Sequence, residues 1–123
     1  MLFRKIAVIL VVAGTMACSS NNNSATSPSP TPPPSGPGTV SIVSGASEKT
    51  TTAYSPNPIT IAVGGTVTWV NNDSTTHTTT SNGAGWDATL NPGGQFSRTF
   101  TTAGSFPYHC TIHPGMVGTV TVQ

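Results

Sequence analysis

Charged side chains are scarce in this sequence, with four Lys or Arg and three Asp or Glu among 123 residues. Beyond residue 17 the chain has two basic residues, Lys49 and Arg98, against three acidic ones, so its formal net charge there is −1. The chain therefore has no basic stripe of the kind that binds nucleic acid. It also has no acidic patch that would steer a basic partner. We expect this protein to recognise its partners with little dependence on charge, and we do not expect nucleic acid to be one of those partners.

Long apolar runs are also missing, since the run Ile6–Ala13 is far shorter than the ~20 residues that span a bilayer as a helix. Arg4 and Lys5 precede this run, and small residues follow it up to Ala17. This pattern is typical of a secretion signal. We expect residues 1–17 to be a signal peptide that is removed, and the mature protein to be exported to the periplasm or the cell surface.

The segment Thr15–Cys18 resembles a bacterial lipoprotein processing box, in which the cysteine is lipidated and becomes the new N-terminus. This resemblance implies membrane attachment through lipid on Cys18. Thr15 stands where such a box usually carries an aliphatic residue. Ordinary cleavage before Cys18, which leaves a free secreted protein, therefore remains the alternative.

Residues 18–38 contain almost no apolar side chains, since Ala25 is the one aliphatic residue among Ser, Asn, Thr, Pro and Gly. Such a segment cannot bury enough apolar surface to fold. We interpret residues 18–38 as a disordered linker and residues 39–123 as one folded domain.

The domain lacks any long segment of helical period, and apolar residues alternate with polar ones instead. This period of two, with frequent Gly and Pro between the segments, predicts an all-β sandwich or small barrel of antiparallel strands. The residues expected to fill much of the core are aromatic: Trp69, Trp86, Phe96, Phe100 and Phe106. The alternating segments are Val40–Ser44, Ile59–Val63, Val67–Asn71, Phe96–Phe100, Phe106–Cys110 and the last strand, from Val117 or Gly118 to Val122.

Cysteine is also scarce, because the chain contains two cysteines, Cys18 and Cys110. Exported proteins normally pair their cysteines in disulfides. If Cys18 carries lipid, Cys110 has no partner, and a bound metal would explain a lone thiol in an oxidising compartment. A buried, inert cysteine is the alternative.

Residues 108–116 place a thiol, an imidazole and a thioether three residues apart, at Cys110, His113 and Met116. Two imidazoles and a thiolate with a weak axial thioether form the blue copper site. Because side chains alternate along a strand, His109 faces away from Cys110. His77, in a polar bend after the Val67–Asn71 strand, is then the histidine left to complete the set. Taken singly, a surface histidine or a core methionine would be the more common interpretation.

The segment from about Asn57 to Gln123 resembles the plastocyanin-like branch of the cupredoxins, with a C-x-x-H-x-x-M spacing and a preceding Tyr-His similar to amicyanin. The resemblance implies a Greek-key β-sandwich of about seven to eight strands. It also implies one type 1 copper per chain and one-electron transfer outside the cytoplasm. Carried over by position, the metal ligands fall on His77, Cys110, His113 and Met116. Asn71 and Thr78 are candidates for hydrogen bonds that brace the ligand loop, and ordinary polar turn residues are the alternative interpretation.

We expect redox proteins to dock transiently near His113, where small and apolar residues surround the imidazole, and we expect a monomer. A copper carrier or storage protein could use the same four ligands without cycling electrons. An enzyme is disfavoured, because a catalytic copper needs three further ligands and His109 is the one histidine to spare.

Overall fold

The computed structural model describes residues 37–83 and 85–123. The signal peptide expected at residues 1–17, Cys18 and the linker up to residue 36 lie outside these ranges. Within them the chain forms nine strands and one short turn of 3-10 helix at Ala46–Glu48. The strands are β1 (Gly38–Ile42), β2 (Tyr54–Ser55), β3 (Ile59–Ile61), β4 (Thr66–Asn71), β5 (His77–Ser81), β6 (Asp87–Leu90), β7 (Gln95–Thr99), β8 (Gly104–His109) and β9 (Val117–Val122).

The predicted all-β sandwich is confirmed. One sheet has the strand order β2-β1-β4-β7, and the other has the order β3-β9-β8-β5-β6. Most neighbours are antiparallel, but β1 runs parallel to β4 and β3 runs parallel to β9. The sequence suggested antiparallel pairing throughout. The two parallel pairs depart from this expectation because their strands are not joined by a tight hairpin, which would make them antiparallel. No helix in the described ranges is long and apolar enough to cross a membrane.

The core forms around Trp69 at the centre of β4. Alternation along β4 buries Val67, Trp69 and Asn71, as the period-two pattern predicts. Four aromatic rings lie with their centroids between 5.4 and 6.5 Å from that of Trp69; they belong to Trp86, Phe96, Phe100 and Tyr108. The core prediction is therefore confirmed for Trp69, Trp86 and Phe100, whereas Phe96 and Phe106 are partly buried at the edge of the cluster.

The structures around Val63 and His77 differ from the sequence prediction. Val63 was expected to continue the apolar face of β3, but the strand ends at Ile61 and Val63 is 50% exposed. His77 was expected in a polar bend, but it is the first residue of β5 and is completely buried. The alternation of apolar and polar residues did not predict β5, because its sequence, His-Thr-Thr-Thr-Ser, contains no apolar residue that could mark an inward face.

The topology of the second sheet brings three chain positions to one end. β8 lies between β9 and β5 and is antiparallel to both, with His109 opposite Val117 on one side and Thr80 on the other. The end of β8, the start of β9 and the start of β5 therefore meet at the same end of the sheet. Cys110 directly follows β8, Met116 directly precedes β9, and His77 begins β5.

Candidate metal centre

Three of the four predicted ligands bring their donor atoms together at this end of the second sheet. The Sγ of Cys110 lies 3.9 Å from the Nδ1 of His77 and 3.9 Å from the Nδ1 of His113. The two Nδ1 atoms are 3.2 Å apart. His77 and Cys110 are buried, and His113 is partly exposed. The chain thus converges a thiol and two imidazoles that are up to 36 residues apart in sequence.

The size of this triangle fits a first-row transition metal. A point equidistant from the three donor atoms lies roughly 2.1 Å from each, close to the ~2.0–2.1 Å and ~2.3 Å of zinc bonds to histidine nitrogen and cysteine sulfur. The donors are one soft thiolate and two imidazoles, which is the planar set that blue copper sites use. The residues present therefore fit copper in both spacing and chemistry.

Met116 is held in the same loop by two backbone hydrogen bonds. Its N–H donates to the carbonyl of His113 at 2.9 Å, and its own carbonyl accepts from the N–H of Cys110 at 3.0 Å. The Met116 side chain is fully buried. These bonds close the loop from Cys110 to Met116 into a compact turn that a continued strand could not form.

His77 is oriented by Asp73, which the sequence analysis did not identify. The Nε2 of His77 lies 2.8 Å from a carboxylate oxygen of Asp73, and both side chains are buried. An ionised carboxylate can only accept, so Nε2 carries the proton and the lone pair of Nδ1 faces Cys110. This bond, with others from the backbone N–H groups of Gly45, Ser74 and Ala46, lowers the pKa of Asp73 to about 2.

Thr78 braces Cys110 and its neighbour, which is one of the two interpretations that the sequence left open. The backbone N–H of Thr78 donates to the Cys110 sulfur at 3.3 Å, which helps to hold the sulfur in place. The Thr78 hydroxyl accepts from the backbone N–H of Thr111 at 2.8 Å. Asn71 acts one step further away, because its amide donates to the carbonyls of Thr75 and Leu90 and fixes the segment before His77.

His109 lies apart from the three donors, as predicted from strand alternation. Its Nδ1 is 2.6 Å from the side-chain oxygen of Asn82. Among the described residues, the side chains of His, Cys, Asp and Glu form no second group of three that could hold a metal.

Sequence reasoning missed two side chains that support the site, Asp73 and Tyr54. Tyr54 is buried in β2 and donates its hydroxyl to the carbonyl of Thr78 at 2.6 Å. The position of Asp73, four residues before His77, could have suggested its role, but the polar turn residues around it favoured a solvated loop. No signal in the sequence joins Tyr54 to β5, since the contact depends on the packing of one sheet on the other.

Comparison with known proteins agrees with this geometry. Residues 41–123 match the family of copper binding proteins described as the plastocyanin/azurin family. A plastocyanin of Scenedesmus fuscus is 40% identical over 84 residues, covering 57% of this chain and 86% of that protein. An amicyanin of Paracoccus denitrificans is 37% identical over 76 residues, covering 57% of this chain and 58% of that protein.

A solved structure gives the same result for the fold. The structure of a purple cupredoxin from Nitrosopumilus maritimus superposes with a TM-score of 0.65 at 35% identity, covering 70% of this chain and 99% of that one. The family match spans more than half of the chain and includes every residue of the candidate metal centre. The chain therefore belongs to the cupredoxins, within the plastocyanin/azurin family of copper-binding proteins.

Proposed function

We propose that this protein is a type 1 copper protein that carries single electrons. The observation that carries the proposal is the convergence of Cys110 Sγ with the Nδ1 atoms of His77 and His113. Met116, buried at the end of the same loop, is the proposed fourth ligand, and its thioether would bind the metal weakly. Copper held by this set would supply a one-electron couple between its oxidised and reduced states.

In this proposal, the residues around the donor atoms prepare Cys110 and His77 to bind the metal. Cys110 binds as a thiolate, and the N–H of Thr78 helps to stabilise the charge on its sulfur. Asp73 keeps the proton of His77 on Nε2, so Nδ1 is free to bind the metal. Because the three donor atoms already surround one point, little rearrangement is needed when the metal binds.

We propose that electrons enter and leave through His113, the one member of the donor triangle that is partly exposed. Two apolar residues near it in the sequence are exposed, Ile112 at 50% and Val117 at 37%. None of residues 111–118 is an Asp, Glu, Lys or Arg. A redox partner would dock briefly on this uncharged segment, and the rate of electron transfer should depend weakly on salt. We propose a monomer that makes only such transient complexes.

The histidine content of the chain argues against an enzyme. A catalytic copper of the kind found beside type 1 sites needs three imidazole ligands, and His109 is the one histidine outside the donor triangle. Its Nδ1 is already bound to Asn82. Electron carriage is therefore the activity that this set of side chains supports best.

The experiment that tests electron carriage is voltammetry of the copper-loaded protein together with stopped-flow reduction and reoxidation. A carrier should show a reversible one-electron wave and should react rapidly in both directions. A copper transport or storage protein would instead hold Cu(I) and react slowly or irreversibly, and that result would reject the proposal.

We further propose that the protein works outside the cytoplasm. The charged, apolar and small-residue pattern of residues 1–17 supports export, and the resemblance around Cys18 supports a lipid anchor. Fractionation of cells that express the full chain tests both points. Recovery in the cytoplasm contradicts export, and recovery of the exported protein entirely in the aqueous phase of a detergent partition contradicts the anchor.

A further inference from the structure

The first residues of β9 lie beyond the reach of the strand beside them. β3 pairs with β9 in parallel from Ile59, which lies opposite Val120. Before Ile59 the chain contains Pro56 and Pro58, and proline has no N–H to donate to a neighbouring strand. The carbonyl of Val117 and the N–H of Thr119, on this edge of β9, therefore need hydrogen-bond partners that the backbone of β3 does not supply.

The side chain of Asn57 supplies these partners. Its Nδ2 donates to the carbonyl of Val117 at 3.0 Å, and its Oδ1 accepts from the N–H of Thr119 at 3.0 Å. One carboxamide thus offers a donor and an acceptor to residues two apart, as a peptide unit of a neighbouring strand would. Asn57 extends the ladder between β3 and β9 by means of its side chain.

The same carboxamide is itself tied to the preceding segment. Nδ2 of Asn57 also donates to the carbonyl of Thr51 at 2.8 Å. The carbonyl of the adjacent Thr50 accepts from the N–H of Val117 at 3.4 Å. We call residues 50–57 the strap. Both backbone polar groups of Val117 are therefore bound to the strap.

Met116 lies between the strap and the loop that bears Cys110 and His113. Its N–H donates to the carbonyl of His113 at 2.9 Å, and its carbonyl accepts from the N–H of Cys110 at 3.0 Å. On its C-terminal side, it is joined directly to Val117, which the strap holds. A buried thioether with its backbone fixed on both sides has little freedom to move toward or away from the two imidazoles and the thiolate.

We propose that Asn57 is a positioning residue for Met116, and that it sets the approach of the thioether to the metal and so the reduction potential. This inference rests on the proposed function. Asn57 is uncharged, and its side chain hydrogen-bonds to Thr51, Val117 and Thr119 rather than to a proposed ligand. Its effect on the potential therefore passes through the placement of Met116 rather than through a charge near the metal.

A double-mutant cycle tests the proposal on the copper-loaded full chain. Asn57→Ala should shift the midpoint potential and change the relative intensities of the visible absorption bands. In the Met116→Leu background, which has no thioether, Asn57→Ala should leave the potential unchanged. Thr99→Ala is the control, because it removes one exposed hydrogen bond to Thr66 in the other sheet and should shift the potential in neither background.

A second variant and a measurement on the copper-free protein distinguish the proposed effect from misfolding. Asn57→Gln keeps an uncharged donor and acceptor on a longer side chain, so its shift should be smaller than that of Asn57→Ala. In the copper-free protein, the amide hydrogen of Thr119 should exchange about fivefold faster in Asn57→Ala, since one hydrogen bond contributes ~1 kcal/mol.

The outcomes separate this proposal from the one on which it rests. An equal shift of the potential with and without Met116 would show that Asn57 acts by another route and would overturn the inference. So would faster exchange at Thr119 with an unchanged potential, since the strap would then not control Met116. A wild-type protein that forms no thiolate-to-copper band overturns the proposed function itself, and the inference with it.

Discussion

The Nε2 of His77 lies 2.8 Å from a carboxylate oxygen of Asp73 four residues earlier, and both side chains are buried. Asp73 also accepts hydrogen bonds from the N–H groups of Gly45 and Ala46, which begin the 3-10 turn after β1. One carboxylate therefore connects the start of β5, where the metal centre begins, to a loop of the first sheet. The orientation of His77 depends on a long-range contact as well as on its own strand.

This relationship predicts that Asp73→Asn weakens copper binding. The neutral amide accepts a weaker hydrogen bond from His77 and leaves backbone N–H groups of the 3-10 turn with a poorer partner. Loss of a partner of this kind typically lowers metal affinity about 10–100-fold. A competition titration with a chelator of known affinity measures the change.

The matched control is Asp87→Asn, because Asp87 is exposed and its carboxylate accepts from the hydroxyl of Thr80 rather than from a proposed ligand. It should leave the affinity for copper unchanged. Equal affinities in wild type and Asp73→Asn would show that His77 needs no orienting carboxylate.

Thr78→Val should destabilise the copper-free protein, because it removes the hydroxyl that accepts from the backbone N–H of Thr111. A donor that loses its partner costs on the order of 1–3 kcal/mol when it is buried, and less where water can reach it. Urea unfolding measures the difference. Thr99→Val loses one exposed hydroxyl contact and should change the free energy of unfolding by less than about 0.5 kcal/mol. Equal effects of the two substitutions would contradict the bracing role of Thr78.

Gly118→Ala should destabilise the fold because Tyr108 occupies the space of a side chain at position 118. A Cβ there would overlap the Cζ and hydroxyl of Tyr108, which is fully buried. Forced overpacking of this kind typically costs about 1–3 kcal/mol. The thermal midpoint of the copper-free protein should fall accordingly. Gly83→Ala serves as the comparison, since its nearest heavy atom is Ser81 Oγ at 4.0 Å, and a similar loss there would refute the steric explanation.

Alkaline pH should unfold the protein through its buried tyrosines. Burial raises the pKa of Tyr108 to about 12, and burial also raises the pKa of Tyr54 above its ordinary value of 10.0. Between pH 10 and about pH 12, the tyrosines of the unfolded chain release protons that the tyrosines of the folded chain retain. The stabilisation is therefore complete below pH 10 and is lost as the pH rises through about 12.

Urea unfolding of the copper-free protein at several pH values from 9 to 12 measures this loss. Tyr108→Phe, which cannot ionise, should show a shallower decline of the free energy of unfolding than wild type. An identical decline in both proteins would mean that Tyr108 ionises as readily when folded as when unfolded.

The sequence predicted those parts of the fold in which apolar residues mark one face of a strand. The face of β4 with Val67 and Trp69 is such a case. Cys110 was predicted as the last residue of the Phe106–Cys110 strand, whereas β8 ends at His109 and Cys110 directly follows it. Local spacing also predicted His113 and Met116, because both lie in one loop with Cys110. His77 was identified by elimination, yet its secondary structure was missed because β5 is a run of threonines.

What the sequence could not predict depends on contacts between distant segments. Asp73, Tyr54 and Asn57 each bind a group that is 24 or more residues away. Polar residues in turns usually bond locally or to water, so nothing in their own neighbourhood distinguishes them. Their roles follow from the parallel pairing of β1 with β4 and of β3 with β9, which strand patterns do not specify.

The most direct test of the account is an absorption spectrum recorded while copper is added to the full chain and to its Cys110→Ser variant. The wild-type protein should take up one Cu(II) per chain and develop an intense visible thiolate-to-copper band that reductant removes and oxidant restores. Cys110→Ser should develop no such band. A wild-type protein that stays colourless at full copper occupancy, or a variant that keeps the band, would contradict the assignment of Cys110 as the thiolate ligand of a type 1 copper site.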